Sequence, residues 1–315
     1  MVGHSGKRRT AKRLETDDDE PTWMDELDQA LDDLNVNRLS TREKALATLQ
    51  SILSKRNASA VLISRTEEFV ESLLRRIDLG ESTEETALAI DLLVLAFVNH
   101  GDRVAPDEQE AIYQEAAQSL REKAKRSKDP FIKAKCYEAM GLLTYILSLE
   151  IDAQVIRQEM QSVFGAGNEG EDDEVLAAAT LTYAMMFIVS FCQDIMDPSL
   201  VQEEIDRVLE EVTYLLEIPG PVKLAATQAA ALMMETLQST QGDIEHNQMN
   251  EVIHALRELS MESVEDEDEE ELFESALSTI EDSISPLREY DIKGKTYTLE
   301  SWGKIVKHKK STHSQ

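Results

Sequence analysis

Five stretches of this 315-residue chain open with a similar helical pattern, and their spacing constrains the fold more than any other feature. They are TREKALATL from Thr41, TEETALAIDLL from Thr83, PFIKAKCYEAMGLL from Pro130, EVLAAATLTYAMM from Glu174 and PVKLAATQAAALMM from Pro221, separated by 42, 47, 44 and 47 residues. Helix-pair repeats of the HEAT and armadillo kind have periods of about 40–47 residues. One such pair cannot cover its own apolar face, so neighbours must stack into a continuous core. The pattern predicts an all-α, right-handed α-solenoid of about five HEAT/armadillo-like helix pairs with disordered basic tails. Aromatic residues are only 5% of the chain and alternating β-branched runs are few, so strands are not expected.

Local signals fill in this frame. Residues 1–20 swing from basic to acidic without an apolar period and read as a disordered tail. Trp23, Leu27, Leu31 and Leu34 then mark a short helix near 22–34, with Trp23 closing the end of the core. Ser40 or Thr41 offers an N-cap for the first pair, whose stripe is Ala45, Leu46, Leu49, Ile52 and Leu53. Its partner helix runs near 60–78 and Gly80 closes it. The second pair spans about 82–126, and its first helix is apolar almost all round apart from Asp91. Asp129-Pro130 caps and opens the third pair, in which Ala134, Ala139 and Gly141 allow close helix approach. The third pair closes near Phe164 and a flexible acidic loop follows. The fourth covers about 174–217, and the fifth opens at 219–221 with a partner near 244–261. The acidic run VEDEDEEE (264–271) precedes a terminal helix near 269–284. The expected organisation is therefore a tail over 1–20, a repeat domain over 21–285, and an appended basic segment over 286–315 carrying a Ser-Trp motif.

Charge separates these parts. The chain carries −30 in all, with +5 on residues 1–14 and +4 on 286–315, which leaves −39 for residues 15–285. An acidic body repels phosphates, so a polyanion has only the two basic ends to dock on. Cys136 and Cys192 fall within amphipathic helices and read as buried thiols of a reducing compartment. The basic, polar N-terminus has no signal-peptide pattern, and the most apolar run, 87–98, is too short for a membrane span. These features predict a soluble protein of the cytoplasm, the nucleus or both, without membrane contact.

Catalytic patterns are missing. The chain has no glycine-rich phosphate loop, GxSxG, HExxH or CxxC, and His246 and His254 lack a third metal ligand nearby in sequence. No catalytic residue, metal, cofactor or small-molecule substrate is expected. Met185-Met186 and Met233-Met234 read as gap-filling core. Two signals remain. Lys7, Arg8, Arg9, Lys12 and Arg13 form a candidate nuclear-import cluster. Lys293, Lys295, Lys304, Lys307, Lys309 and Lys310 surround Trp302, a combination in which an indole stacks a base while ammonium groups meet phosphates. The competing readings are that Leu299 and Trp302 fold back onto the last helix, or that the basic segment rests on the acidic body.

STREKALATLQSILSKR (40–56), TALAIDLLVLAFVNHG (86–101) and above all GKTYTLESWGKIVKHKK (294–310), with Leu299, Ser301 and Trp302, resemble the interferon-related developmental regulators. The resemblance implies an armadillo-like, non-enzymatic protein. It implies either a transcriptional co-regulator acting with chromatin-modifying complexes or a factor of translationally inactive ribosomes whose C-terminal helix enters RNA-lined channels. The region beyond the Ser-Trp motif is shorter here than in animal members. The leading expectation is an adaptor that binds ribosome or RNA through the C-terminal segment and regulates translation. Its rival is a nuclear scaffold that binds proteins through the solenoid surface. Whether the run 264–271 masks the basic segment is open.

Overall fold

The computed structural model describes residues 22–100, 105–165, 170–191, 198–241, 249–262, 267–292 and 295–304. Thirteen helices occur among them: α1 (Trp23–Asp33), α2 (Leu39–Lys55), α3 (Ser59–Leu62), α4 (Thr66–Leu79), α5 (Thr83–His100), α6 (Pro106–Arg126), α7 (Pro130–Leu147), α8 (Glu150–Phe164), α9 (Asp173–Phe191), α10 (Pro198–Leu216), α11 (Pro221–Gln241), α12 (Met249–Glu262) and α13 (Glu267–Asp282). Helices α2, α5, α7, α9, α11 and α13 stack successively in one layer, and α4, α6, α8, α10 and α12 line the other. This is the expected all-α solenoid. The pairing frame is shifted by one helix. α4 packs most extensively on α5, α6 on α7, α8 on α9, α10 on α11 and α12 on α13, so each closing helix embraces the opening helix of the next repeat. Short connections such as 80–82, 127–129 and 217–220 join these tight partners, which holds them antiparallel.

The stack is centred on α9, which touches α7, α8 and α11. By length and composition α9 is apolar enough to cross a membrane, but 72% of its most apolar window is buried by its neighbours, the mark of a core helix. It is a longer apolar run than the 87–98 stretch that stood out in the sequence. Met185, Met186, Met233 and Met234 are all buried in the core. At Gly141 an added Cβ would lie 2.9 Å from Thr182 Cγ2, so this glycine sets how closely α7 approaches α9. Cys136 is buried and unpaired, and burial pushes its thiol up to about 12. Cys192 lies outside the described residues, as do the tail over 1–20 and the import cluster Lys7, Arg8, Arg9, Lys12 and Arg13.

Caps follow the sequence in one place and depart from it in another. Asp129 caps α7, its Oδ1 accepting the Phe131 N–H at 3.1 Å, with Pro130 in the first turn. At α2 neither Ser40 nor Thr41 caps; the helix starts at Leu39 with no side-chain cap. The chain leading in is held instead by Arg42, whose Nη1 donates to the carbonyls of Val36 at 3.2 Å and Asn37 at 2.8 Å. Asp91, isolated in an apolar helix, accepts from Lys135 Nζ at 2.7 and 2.9 Å across the α5–α7 junction.

Over its described residues, 286–292 and 295–304, the C-terminal segment is folded rather than the disordered tail expected. An antiparallel hairpin, β1 (Arg288–Ile292) and β2 (Lys295–Leu299), pairs Arg288 with Leu299 and Tyr290 with Tyr297. The acidic run is part of α13 from Glu267 onward, where Glu269 meets Lys223 at 3.1 Å and Glu271 meets Arg288 at 3.4 Å. An isolated two-stranded hairpin is marginal in water. What supports this one lies just beyond it.

Candidate functional site

The strongest organised polar site in the C-terminal third is a clasp that ties the end of the described chain to α11 and α13. Helix α13 ends in a left-handed Ser283 (φ 55°), and the Ile284 N–H returns to Ser278 O at 3.2 Å, turning the chain back along the stack. Ser285 Oγ then donates to Glu235 Oε1 on α11 at 2.6 Å. After the hairpin, the backbone N–H of Trp302 donates to the same carboxylate, at 3.0 Å to Oε2 and 3.3 Å to Oε1. The Trp302 indole is fully buried, and its Nε1 donates to Thr279 Oγ1 on α13 at 2.8 Å. Thr279 Oγ1 itself sits 3.0 Å from Ser275 O and 2.9 Å from Ile284 O, so the hydroxyl links the indole to the turn that launches the segment. Gly303 follows, and a Cβ there would come 3.3 Å from Ile188 Cδ1 on α9.

Glu235 organises the clasp electrostatically. Burial pushes its carboxyl above the ordinary range. The hydrogen bonds from Ser285, Trp302 and Gly303 and the charge of Lys304 hold it down, but burial prevails. A carboxylate that stays in such a place needs several donors converging on it, and this one has them.

Trp302 therefore does not stack a base: the reading of it as a surface aromatic is corrected, and the fold-back reading holds. The physical reason is area and polarity together. An indole brings a large apolar surface to the core, and Thr279 satisfies its single donor there. Lys304 is exposed, immediately beyond the clasp, with its N–H 3.3 Å from Ser301 Oγ. Lys295 is placed at the start of β2 by its backbone. Lys293, Lys307, Lys309 and Lys310 lie outside the described residues. The clasp residues Glu235, Thr279 and Ser285 are ones the sequence reading missed. The signal for Glu235 was available: it is the lone carboxylate within the apolar stretch AAALMMETL, as Asp91 is in α5. Among the described residues no group of His, Cys, Asp and Glu is arranged to hold a metal.

The profile of one family, Interferon-related developmental regulator (IFRD), matches residues 2–272. No curated protein matches the chain. The matched region covers the repeats through the start of α13 and stops before the hairpin and the clasp residues Ser285 and Trp302.

Proposed function

The chain belongs to the interferon-related developmental regulator family, and from that premise we propose that it is a non-enzymatic adaptor whose basic C-terminal residues contact ribosomal RNA while the helical stack serves as the scaffold. The family is not a known enzyme family, and it makes the protein a helical regulator. The observation that carries the finer reading is the clasp. Trp302 fixes the chain to the acidic body, and the basic run Lys304, Lys307, Lys309 and Lys310 begins directly after it. An anchored Trp302 followed in sequence by a run of cations supports this reading, because the rest of the body repels polyanions. Phosphate contacts of this kind release counterions, so affinity falls steeply with salt, by about 0.7 log units per log unit of salt for each phosphate met on a single strand.

The test is co-sedimentation with ribosomes at low and moderate salt. Cutting the chain after Ser285 would remove Trp302 and disturb the body, so the useful variant neutralises Lys304, Lys307, Lys309 and Lys310 to Gln and keeps the clasp. The full chain is expected in the ribosomal pellet at low salt and released at moderate salt, with the neutralised chain in the supernatant throughout. If both stay in the supernatant, or both pellet alike, the reading falls. A nuclear scaffold imported through Lys7, Arg8, Arg9, Lys12 and Arg13 then takes its place.

A further inference from the structure

A cavity of about 380 Å³ opens between α8, α9 and α10, outside the clasp. That volume is in the range of small-ligand sites. Its floor is built around Arg157 on α8, which is 5% exposed. The guanidinium carbon lies 4.6 Å from the centre of the Phe191 ring, and Nε is 2.8 Å from Glu204 Oε1. Despite that ion pair, among the described residues neither Nε nor Nη1 of Arg157 has an aligned acceptor, and the shielded Ser190 Oγ has no partner either. Glu204 is already engaged: the Tyr183 hydroxyl donates to it at 2.7 Å, and Arg207 donates through Nε at 3.2 Å and through Nη2. The cluster thus sets two guanidinium groups against one carboxylate. A buried charge with unfilled donors is costly, and such donors in a native fold call for an acceptor.

We propose that this cavity binds the carboxylate of a small apolar acid, received by Arg157 and Ser190. Charge alone does not draw an anion here, since Arg157 and Arg207 line the cavity with Glu150, Glu203 and Glu204; that balance disfavours a dianion such as phosphate and leaves the unfilled donors and an apolar contact to select the ligand. The mouth fits an apolar neighbour to that carboxylate, since Ile151 is 81% and Leu200 50% exposed beside it. Arg157 and Ser190 line the cavity but these donor atoms are shielded, so a carboxylate reaches them only when the two side chains turn toward it. Two sources present this chemistry, the C-terminal carboxylate of an apolar peptide and a free branched short-chain acid. The inference is independent of the ribosome reading.

The experiment titrates the ¹⁵N-labelled full chain with 4-methylpentanoate, N-acetyl-Leu-Leu, its C-terminal amide, and inorganic phosphate. The amide resonances of Gln154, Ser190, Phe191 and Leu200 are expected to move with a carboxylate, and the peptide amide to bind at least about tenfold more weakly. Shifts with both acids, or with one alone, support the proposal and identify the source. Ser190→Ala should weaken binding several-fold without lowering the thermal midpoint, and Leu200→Glu should abolish it by placing a like charge at the mouth. The proposal is overturned if neither acid shifts these residues, if the amide or phosphate binds as well as the acids, or if Leu200→Glu leaves binding unchanged.

Discussion

Arg42 and Arg157 are both buried at junctions between repeats, and they differ in how their donors are used. Arg42 is 2% exposed with every nitrogen engaged: Nε donates to Glu85 at 2.5 Å, Nη2 to Glu81 at 2.9 Å and Glu85 at 3.2 Å, and Nη1 to two backbone carbonyls. Arg157 shares one carboxylate with Arg207 and Tyr183 and leaves two nitrogens unaligned. The first is a closed set, whose work is to hold α2 to α5. The second is an open one, beside a cavity. Burial of a charge alone does not tell a structural arginine from a receiving one; the tally of its donors does.

The largest effect expected from this contrast is at the closed site. Arg42→Met strands the fully buried Glu85 with Arg76, 3.7 Å away, as its one cationic partner among the described residues. Removing one member of a buried pair typically costs about 3–5 kcal/mol. Denaturant unfolding should show a loss of that order, and adding Glu85→Leu to Arg42→Met should recover most of it. A double variant no more stable than the single one would mean that Arg42 acts through the Val36 and Asn37 carbonyls rather than through the ion pair.

Acid probes the same site. Burial pushes the Glu85 carboxyl up, but the Arg42 hydrogen bonds, the Glu81 N–H and the charges of Arg42 and Arg76 outweigh it, so it titrates below its ordinary 4.5. A carboxyl lowered on folding contributes stability above its unfolded value and loses it as pH falls through the folded one. Wild-type stability should therefore drop as pH falls below about 4.5, and Glu85→Gln, less stable at neutral pH, should show a shallower drop. Glu235 works in the opposite sense. Burial raises it, so its contribution is unfavourable at neutral pH and is relieved as acid protonates it. An unchanged acid limb in Glu85→Gln would contradict the assignment.

The contrast also marks what the sequence made legible. The repeat period and the apolar stripes gave the layered stack, because each depends on local spacing. The period even locates partners: Arg42 and Glu85 are 43 residues apart, Asp91 and Lys135 are 44, and Lys223 and Glu269 are 46, each about one repeat. Identity alone hid their burial, since TREKAL resembles a solvated helix face. The hairpin was hard to read even though KTYTL carries the strand-favouring Thr296, Tyr297 and Thr298, because two five-residue strands are marginal alone and the neighbouring anchor is Trp302 bound to Glu235, 67 residues away. The pairing frame was hidden for a similar reason: an apolar stripe shows that a helix is covered but not which neighbour covers it.

At the open site the effects are smaller. Arg157→Met leaves Glu204 with Arg207 and Tyr183. It also removes donors that were unfilled. The expected loss is about 1–2 kcal/mol, smaller than that of Arg42→Met because Glu204 keeps two partners, with the same unfolding measurement comparing the two. A loss as large as that at Arg42 would show that the two arginines are equivalent struts.

The smallest effect is the most diagnostic. Ser190 Oγ is shielded and makes no hydrogen bond among the described residues, so Ser190→Ala removes a polar atom that contributes nothing to the fold by itself. A substitution that breaks no bond and fills no space changes stability by less than about 0.5 kcal/mol, and deleting an unsatisfied hydroxyl leans toward a gain. Thermal unfolding of the ligand-free variant should match or slightly exceed the wild type. A loss above about 1 kcal/mol would mean that the hydroxyl has a partner in solution, such as an ordered water joining it to Arg157. The floor of the cavity would then hold a structural water rather than await a ligand, and the contrast between the two arginine sites would narrow.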